Sequence, residues 1–241
     1  MPKNSSYRKK GRKFRKKNKT MSKKLAKLSQ LVYKTIEPKQ VTNFFDTDVG
    51  STAWTAISLT DFQFNNQAGQ GTTNQQRVGN SIMLSSISLR MNFSQLSNFY
   101  SLRCLVVQFP QKAGAPTAAD PARFLTYGQA QSNAANRWLC TSSPYAIGSP
   151  LKYTILNDFI INAQDLSVDT PNQNYAIQHK KNIYIKPKQK VLEFQLTSQS
   201  GVQSIPNKGQ INLYMINDYP DLAGGYNTPV QGIIRIKFRD S

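Results

Sequence analysis

An all-β fold, with two antiparallel sheets packed face to face, is predicted by three features of this 241-residue chain. Nine stretches beyond residue 40 are rich in β-branched and aromatic residues, and several alternate apolar with polar side chains. Turns rich in Gly, Pro and Asn separate them, among them NNQAGQG, GSP, TPNQN, IPNKG and AGGYNTP. Little of this body has helical periodicity. Short strands, long loops and scarce helix read as a two-sheet sandwich or jelly roll, and no repeat of fixed period is visible. A body of about 200 residues suits one domain with a sizeable core.

The elements follow in chain order. Residues 1–21 contain too little apolar surface to pack and carry mutually repelling charges, so disorder is expected there. An amphipathic helix is predicted over about 22–36, SKKLAKLSQLVYKTI. Leu25, Leu28, Val32 and Ile36 recur at helical spacing and Leu31 widens the stripe. Ser22 can accept the capping bond at its start, and Pro38 stops it. Lys23, Lys24, Lys27 and Lys34 take much of the other surface. So short a helix is marginal alone in water, and its apolar stripe needs a partner. Residues 1–39 are therefore read as an arm and 40–241 as the β body.

Strands are predicted at 41–45, 53–59, 81–93, 100–109, 152–161, 181–187, 191–196, 210–216 and 232–238. In the third, Ile87, Leu89, Met91 and Phe93 share one face, opposite Ser86, Ser88, Arg90 and Asn92. In the last, Ile234, Ile236 and Phe238 oppose Arg235, Lys237 and Arg239. The long connection 110–150 contains TAADPARFLTY, which suits a short helix near 118–127.

The charge is distributed unevenly. The chain carries a formal +19, and residues 1–27 hold thirteen Lys or Arg with no Asp or Glu. They are Lys3, Arg8, Lys9, Lys10, Arg12, Lys13, Arg15, Lys16, Lys17, Lys19, Lys23, Lys24 and Lys27. The other 214 residues carry only +6. Such end-loading points to a polyanionic partner and nominates these thirteen as nucleic-acid-binding residues. Tyr7 and Phe14, the aromatics among residues 1–21, either stack on bases or have no role in binding. Asn and Gln total 41 whereas Glu occurs twice, a surface suited to broad contact with other protein.

Catalytic chemistry is poorly represented. His179 is the single histidine and sits beside lysines, as a surface or nucleic-acid-facing residue would. No G-x-S-x-G, H-E-x-x-H or G-x-x-x-x-G-K-[ST] run occurs. Ten Asp are scattered singly, so no cofactor and no metal site is assigned, and no enzyme is expected. Asp158 and Asp165 flank one predicted strand. They are the only positions put forward for a structural Ca²⁺ at a subunit contact, and a role as turn and cap residues is the plainer reading. Cys104 and Cys140 lie in no C-x-x-C pair, and Cys104 reads as a small buried hydrophobe. No apolar stretch approaches 18 residues, and the basic N-terminus lacks an apolar h-region, so neither a membrane span nor a secretory signal is expected.

Residues 74–93, NQQRVGNSIMLSSISLRMNF, resemble the N-Q-R-x-G-x-x-[IV] entry to a long strand in single-jelly-roll viral capsid proteins. That family includes the satellite tobacco necrosis virus type and the coats of small circular single-stranded DNA viruses. The matching positions are Asn74, Gln76, Arg77, Gly79 and Ile82, with one extra Gln at 75. LRCLVVQFPQ resembles the family's next strand through Arg103 and Gln111. Phe109 or Pro110 stands where an acidic residue is usual. SPYAIGSPLKYTILNDFIINAQ matches a third segment through Lys152, Tyr153, Ile155, Leu156 and Asp158.

The resemblance implies an eight-stranded single jelly roll that self-assembles, in about 60 copies, into an icosahedral shell around a single-stranded genome, DNA favoured over RNA. It places the arm inside, where about 60 such arms offset on the order of 800 phosphates without reading sequence. It also implies a threefold contact between arm helices through Leu25, Leu28, Val32 and Ile36. The partners expected are thus further copies of the chain and the genome; the host receptor is unknown, and no membrane is involved. The setting is the virion, with RKKGRKFRKK serving also as a signal for the host nucleus. Trp54, Trp138 and Tyr226 are interface anchors or else core aromatics. The alternative is a non-capsid single-strand-binding protein with a basic tail, which would interleave basic and aromatic residues through its body.

Overall fold

A computed structural model of the protein describes residues 21–25, 27–28, 38–62, 81–94, 101–112, 114–130, 133–147, 152–162, 178–194, 205–218 and 228–240. The chain divides into two compact units, Met1–Pro38 and Lys39–Ser241. In the first, residues 21–25 and 27–28 are helical. The remainder of the predicted 22–36 helix lies outside the described residues.

The second unit holds nine strands among its described residues: β1 Lys39–Val49, β2 Thr55–Ser58, β3 Ser81–Ser94, β4 Ser101–Gln108, β5 Thr154–Asn162, β6 Gln178–Ile185, β7 Val191–Glu193, β8 Ile211–Asn217 and β9 Thr228–Asp240. Each overlaps a predicted stretch. One sheet, here sheet A, runs β1-β9-β3-β6, with β7 also paired to β3; sheet B runs β2-β8-β4-β5. All pairings are antiparallel. β7 pairs with Ser81–Met83, at the start of the β3 edge whose later residues pair with β6. Without this short strand, the eight others interleave as first-eighth-third-sixth and second-seventh-fourth-fifth. That is the order of an eight-stranded jelly roll made from two Greek keys. The fold is therefore a single jelly roll.

The predicted helix near 118–127 is one 3₁₀ turn, Asp120–Arg123, with Pro in its first turn. Two further short pieces, Ala134–Asn136 and Trp138–Thr141, were not expected.

Two apolar cores result. The larger lies between the sheets and takes Ile87, Leu89, Met91, Phe93, Ile234, Ile236 and Phe238 from sheet A. Phe62 meets the rings of Phe194 and Phe238 edge to face in this core. The smaller contains Trp54, Phe109, Phe124, Leu125 and Cys140. Strand alternation divides β4 and β8 between the cores. Leu102, Cys104 and Val106 enter the first core and Leu105 and Val107 the second; on β8, Leu213 and Met215 face one way and Tyr214 and Ile216 the other. The described residues between Phe109 and Tyr153 thus cover the second face of sheet B.

A buried amide ties the sheets together. Gln108, at the end of β4, accepts the backbone N–H bonds of Lys188 and Gln189 at 2.8 and 3.0 Å and donates to the Gln189 carbonyl at 2.7 Å. The turn between β6 and β7 therefore keeps its backbone groups satisfied by a side chain from sheet B.

Candidate nucleic-acid interface

The arm contributes Lys23, Lys24 and Lys27, all exposed on helical residues, with Leu25 and Leu28 also exposed beside them. The ten basic residues from Lys3 to Lys19, together with Val32 and Ile36, lie outside the described residues.

The body presents a second basic surface. Sheet A buries one face and leaves the other bare, because no covering segment is packed there among the described residues. Register places its outward residues on a grid. One row crosses the sheet as Phe44, Ile233, Arg90 and Asn182. The row on one side is Asp46, Gln231, Asn92 and Lys180; that on the other is Thr42, Arg235, Ser88 and Tyr184. With strands about 4.8 Å apart, each row is about 14 Å long. Phe44 is 50%, Ile233 44% and Tyr184 63% exposed. The first row, with Gln231, Asn92 and Lys180, borders a shallow groove of about 500 Å³.

No carboxylate lies within ion-pair distance of Arg90, Lys180, Arg235 or Lys237 among the described residues. Asp46, the acidic corner of the grid, accepts a hydrogen bond from Gln231 Nε2 at 3.2 Å. Lys186, Lys188 and Lys190 follow β6 and are exposed. Two neighbouring residues of β6 point elsewhere. Lys181 holds its ammonium 5.1 Å from the centre of the Phe159 ring, and His179 is half-buried beside Phe93. Both share the parity of buried Ile183, so they belong to the core side of β6 and not to the basic face.

Sheet B is organised differently. Arg103 is buried, with Nε and one Nη bonded to the two oxygens of Asp158 at 3.1 and 2.8 Å. Its other Nη donates to the carbonyls of Ser143 at 2.6 Å and Cys140 at 3.4 Å. The Tyr145 hydroxyl donates to Asp158 as well. Burial and that carboxylate raise the Tyr145 pKa to about 12. Arg103 and Asp158 come from two of the segments that carry the viral resemblance, and they meet as an ion pair. The Asp158 carboxylate is committed to this network, not to a free cation site. Asp165 lies outside the described residues. No cluster of three metal-ligating side chains occurs among the described residues.

A second network joins the covering residues to β8. Buried Asp120 accepts bonds from the Tyr214 hydroxyl at 2.8 Å and the Thr117 N–H at 2.9 Å, with Lys112 Nζ at 3.3 Å. Burial, reinforced by Asp120, pushes the Tyr214 phenol far up. Burial likewise raises Cys104. These groups are inert at neutral pH and serve packing. Of the three aromatic anchors considered, Trp54 is a core residue whose Nε1 donates to the Gly128 carbonyl at 2.7 Å. Trp138 is 55% exposed, and Tyr145 and Ile147 later in the same segment are exposed too. Tyr226 lies outside the described residues.

Phe44 and Ile233 were missed as surface residues. A parity signal existed, since adjacent Phe44 and Phe45 on one strand cannot share a face.

No protein-family model matches the chain, and no curated protein matches it. Solved structures do. The mud crab tombus-like virus structure is 9% identical, with 86% of this chain and 83% of that one covered and a TM-score of 0.37. Cocksfoot mottle virus gives 10% identity, 86% and 96% coverage and a TM-score of 0.34. The 60-mer BFDV capsid protein gives 7%, 86% and 95%, with a TM-score of 0.29.

Proposed function

We propose that this chain is the coat protein of a small virus. The body closes with further copies into an icosahedral shell, and the arm binds the single-stranded genome. The observation that carries this reading is one chain joining a single jelly roll to an arm with thirteen Lys or Arg and no acid in 27 residues. Neutralising phosphates by such an arm releases counterions and needs no base reading. About 60 copies, a DNA genome, threefold contacts through Leu25, Leu28, Val32 and Ile36, and nuclear entry through RKKGRKFRKK belong to this proposal. The role is structural, and the buried networks around Arg103 and Asp120 support it as packing devices. Exposed Trp138 supplies an aromatic anchor for contacts between copies.

Electron microscopy of the purified chain, with the 260/280 nm absorbance ratio, tests the proposal. The full chain is expected to form uniform shells carrying nucleic acid, and a chain lacking residues 1–27 to form shells without it. A monomer or dimer that binds single strands at every salt and pH without closing a shell would replace it with the non-capsid binding protein. That reading draws its support from the basic and aromatic residues interleaved on the bare face of sheet A.

A further inference from the structure

We infer that the bare face of sheet A is a stacking platform for unpaired bases, a nucleic-acid site on the body distinct from the arm. An unpaired base lies over Phe44 against Ile233, and the adjoining phosphates rest on Arg90, Arg235 and Lys180. This deepens the coat-protein reading and rests on its single-stranded partner.

Charge decides among the occupants. The face offers cations without carboxylate partners among the described residues, so a polyanion complements it. The arm of this or another copy is itself strongly basic and would be repelled. A second copy of the body would bury these cations in an interface core, where unpaired charge is costly and depleted.

The apolar part selects single strands. Duplex bases are already stacked, whereas every unpaired base has a π-face that an exposed aromatic can cover. Phe44 and Ile233 are half-exposed neighbours across one strand pair, so they form a continuous apolar floor. Arg90 adjoins Ile233 in the next strand, and Arg235 and Lys180 lie in the flanking rows. The spacing suits a backbone running across the sheet. Asn92, on the groove wall, has a buried Oδ1 without a hydrogen-bond partner among the described residues, so its amide has capacity for a base edge after a side-chain turn. Lys39 opens β1 directly after the arm, so a strand captured by the arm is tethered to the chain that carries Phe44 and meets the face at raised effective concentration.

The test uses the full chain and two probes, an oligodeoxythymidine and an abasic oligodeoxynucleotide of equal length and charge, titrated by fluorescence anisotropy at several salt concentrations. The wild-type chain is expected to prefer the thymidine probe by about 5- to 100-fold, the range of one base stacked on an aromatic. Phe44→Ala is expected to abolish the preference and Phe44→Tyr to keep it, with both variants melting as the wild type does. The double variant Tyr7→Ala/Phe14→Ala is expected to keep it too. A preference that survives Phe44→Ala and disappears with Tyr7 and Phe14 overturns the site and assigns stacking to the arm. Equal binding of both probes by the wild type overturns the site while leaving the packaging arm intact. Binding of neither probe at low salt overturns the coat-protein reading with it.

Discussion

Along β9, exposed and buried residues alternate from Gln231 to Phe238, whereas along β8 all seven residues are buried. The two strands belong to different sheets, and the difference extends to their arginines. Arg103 of sheet B points into the protein's own covering segment and spends its guanidinium on Asp158 and two backbone carbonyls. Arg90 of sheet A points outward and meets no carboxylate among the described residues. Sheet B has completed its second face with the described residues between Phe109 and Tyr153. Among the described residues nothing covers the second face of sheet A, and the groups exposed there include Arg90, Lys180 and Arg235.

The largest effect that would sharpen this contrast comes from treating the two arginines alike. Arg103→Leu leaves Asp158 and two carbonyls without their donor, and breaking a buried pair in this way costs about 3 kcal/mol. Asp158 keeps some solvent contact, which holds the cost to the lower end of the usual range. Arg90→Leu is expected to change stability by less than about 0.5 kcal/mol, as outward substitutions do. Urea denaturation of both variants gives the comparison. Equal losses would mean that Arg90 is built into the fold and the bare face is not available.

A second contrast lies within sheet A. A Cβ added at Gly232 would fall 2.2 Å from two atoms of the Phe45 ring, which crosses over the glycine on the inner face. Gly232→Ala is therefore expected to cost about 1–3 kcal/mol through overpacking. Gln231→Ala, one residue away and outward, is expected to stay within about 0.5 kcal/mol. Combining Gly232→Ala with Phe45→Leu should recover part of the loss, and additive losses would place the strain elsewhere.

How much could be read beforehand follows the same division. In β9, and in β3 beyond its irregularity between Leu84 and Ser86, the alternation is clean because one face meets the core and the other meets solvent, so Ile87 against Arg90 and Ile236 against Lys237 declared their sides. In β8 the alternation of Ile211, Leu213 and Met215 with Asn212 and Tyr214 marks the inner face but hides that the other face is covered too, where even Asn212 is buried, donating to the Tyr214 hydroxyl at 3.0 Å. The covering segment read only as a long connection, because its hold on sheet B comes through Arg103, Asp120 and short turns that leave no period. Phe44 and Ile233 were hidden for the opposite reason. Apolar residues on the exposed face, next to Phe45 and Ile234 on the buried one, blur the alternation. Strand order was not legible in the strands themselves; it entered through the resemblance, and Arg103 meeting Asp158 is where that resemblance has physical content.

The smallest expected effect concerns Asp218, just past β8, where sheet B is fastened to its cover. Its Oδ1 accepts the Ser101 N–H at 2.5 Å and its Oδ2 lies 3.1 Å from the Thr141 hydroxyl. Burial raises its pKa above the ordinary 3.8, against the pull of those bonds. A raised folded value means the folded state holds a proton that the unfolded state has released. Stability therefore falls as pH rises from about 4 through the folded value, and it does not return above it. Thr141 has one hydroxyl hydrogen and two acceptors, since the Trp138 carbonyl is 3.0 Å away. Asp218→Asn keeps an acceptor for Ser101 and supplies a donor to Thr141, which frees that hydrogen for Trp138. The variant is expected to match or exceed the wild type at pH 7 and to show a shallower decline above pH ~4, measured by denaturation across a pH series. A loss that opens only above the folded value, where the wild-type group is ionised, would mean that the fold makes use of the negative charge itself. Sheet B would then carry, beside its cover, an exception to the self-sufficiency that separates it from sheet A.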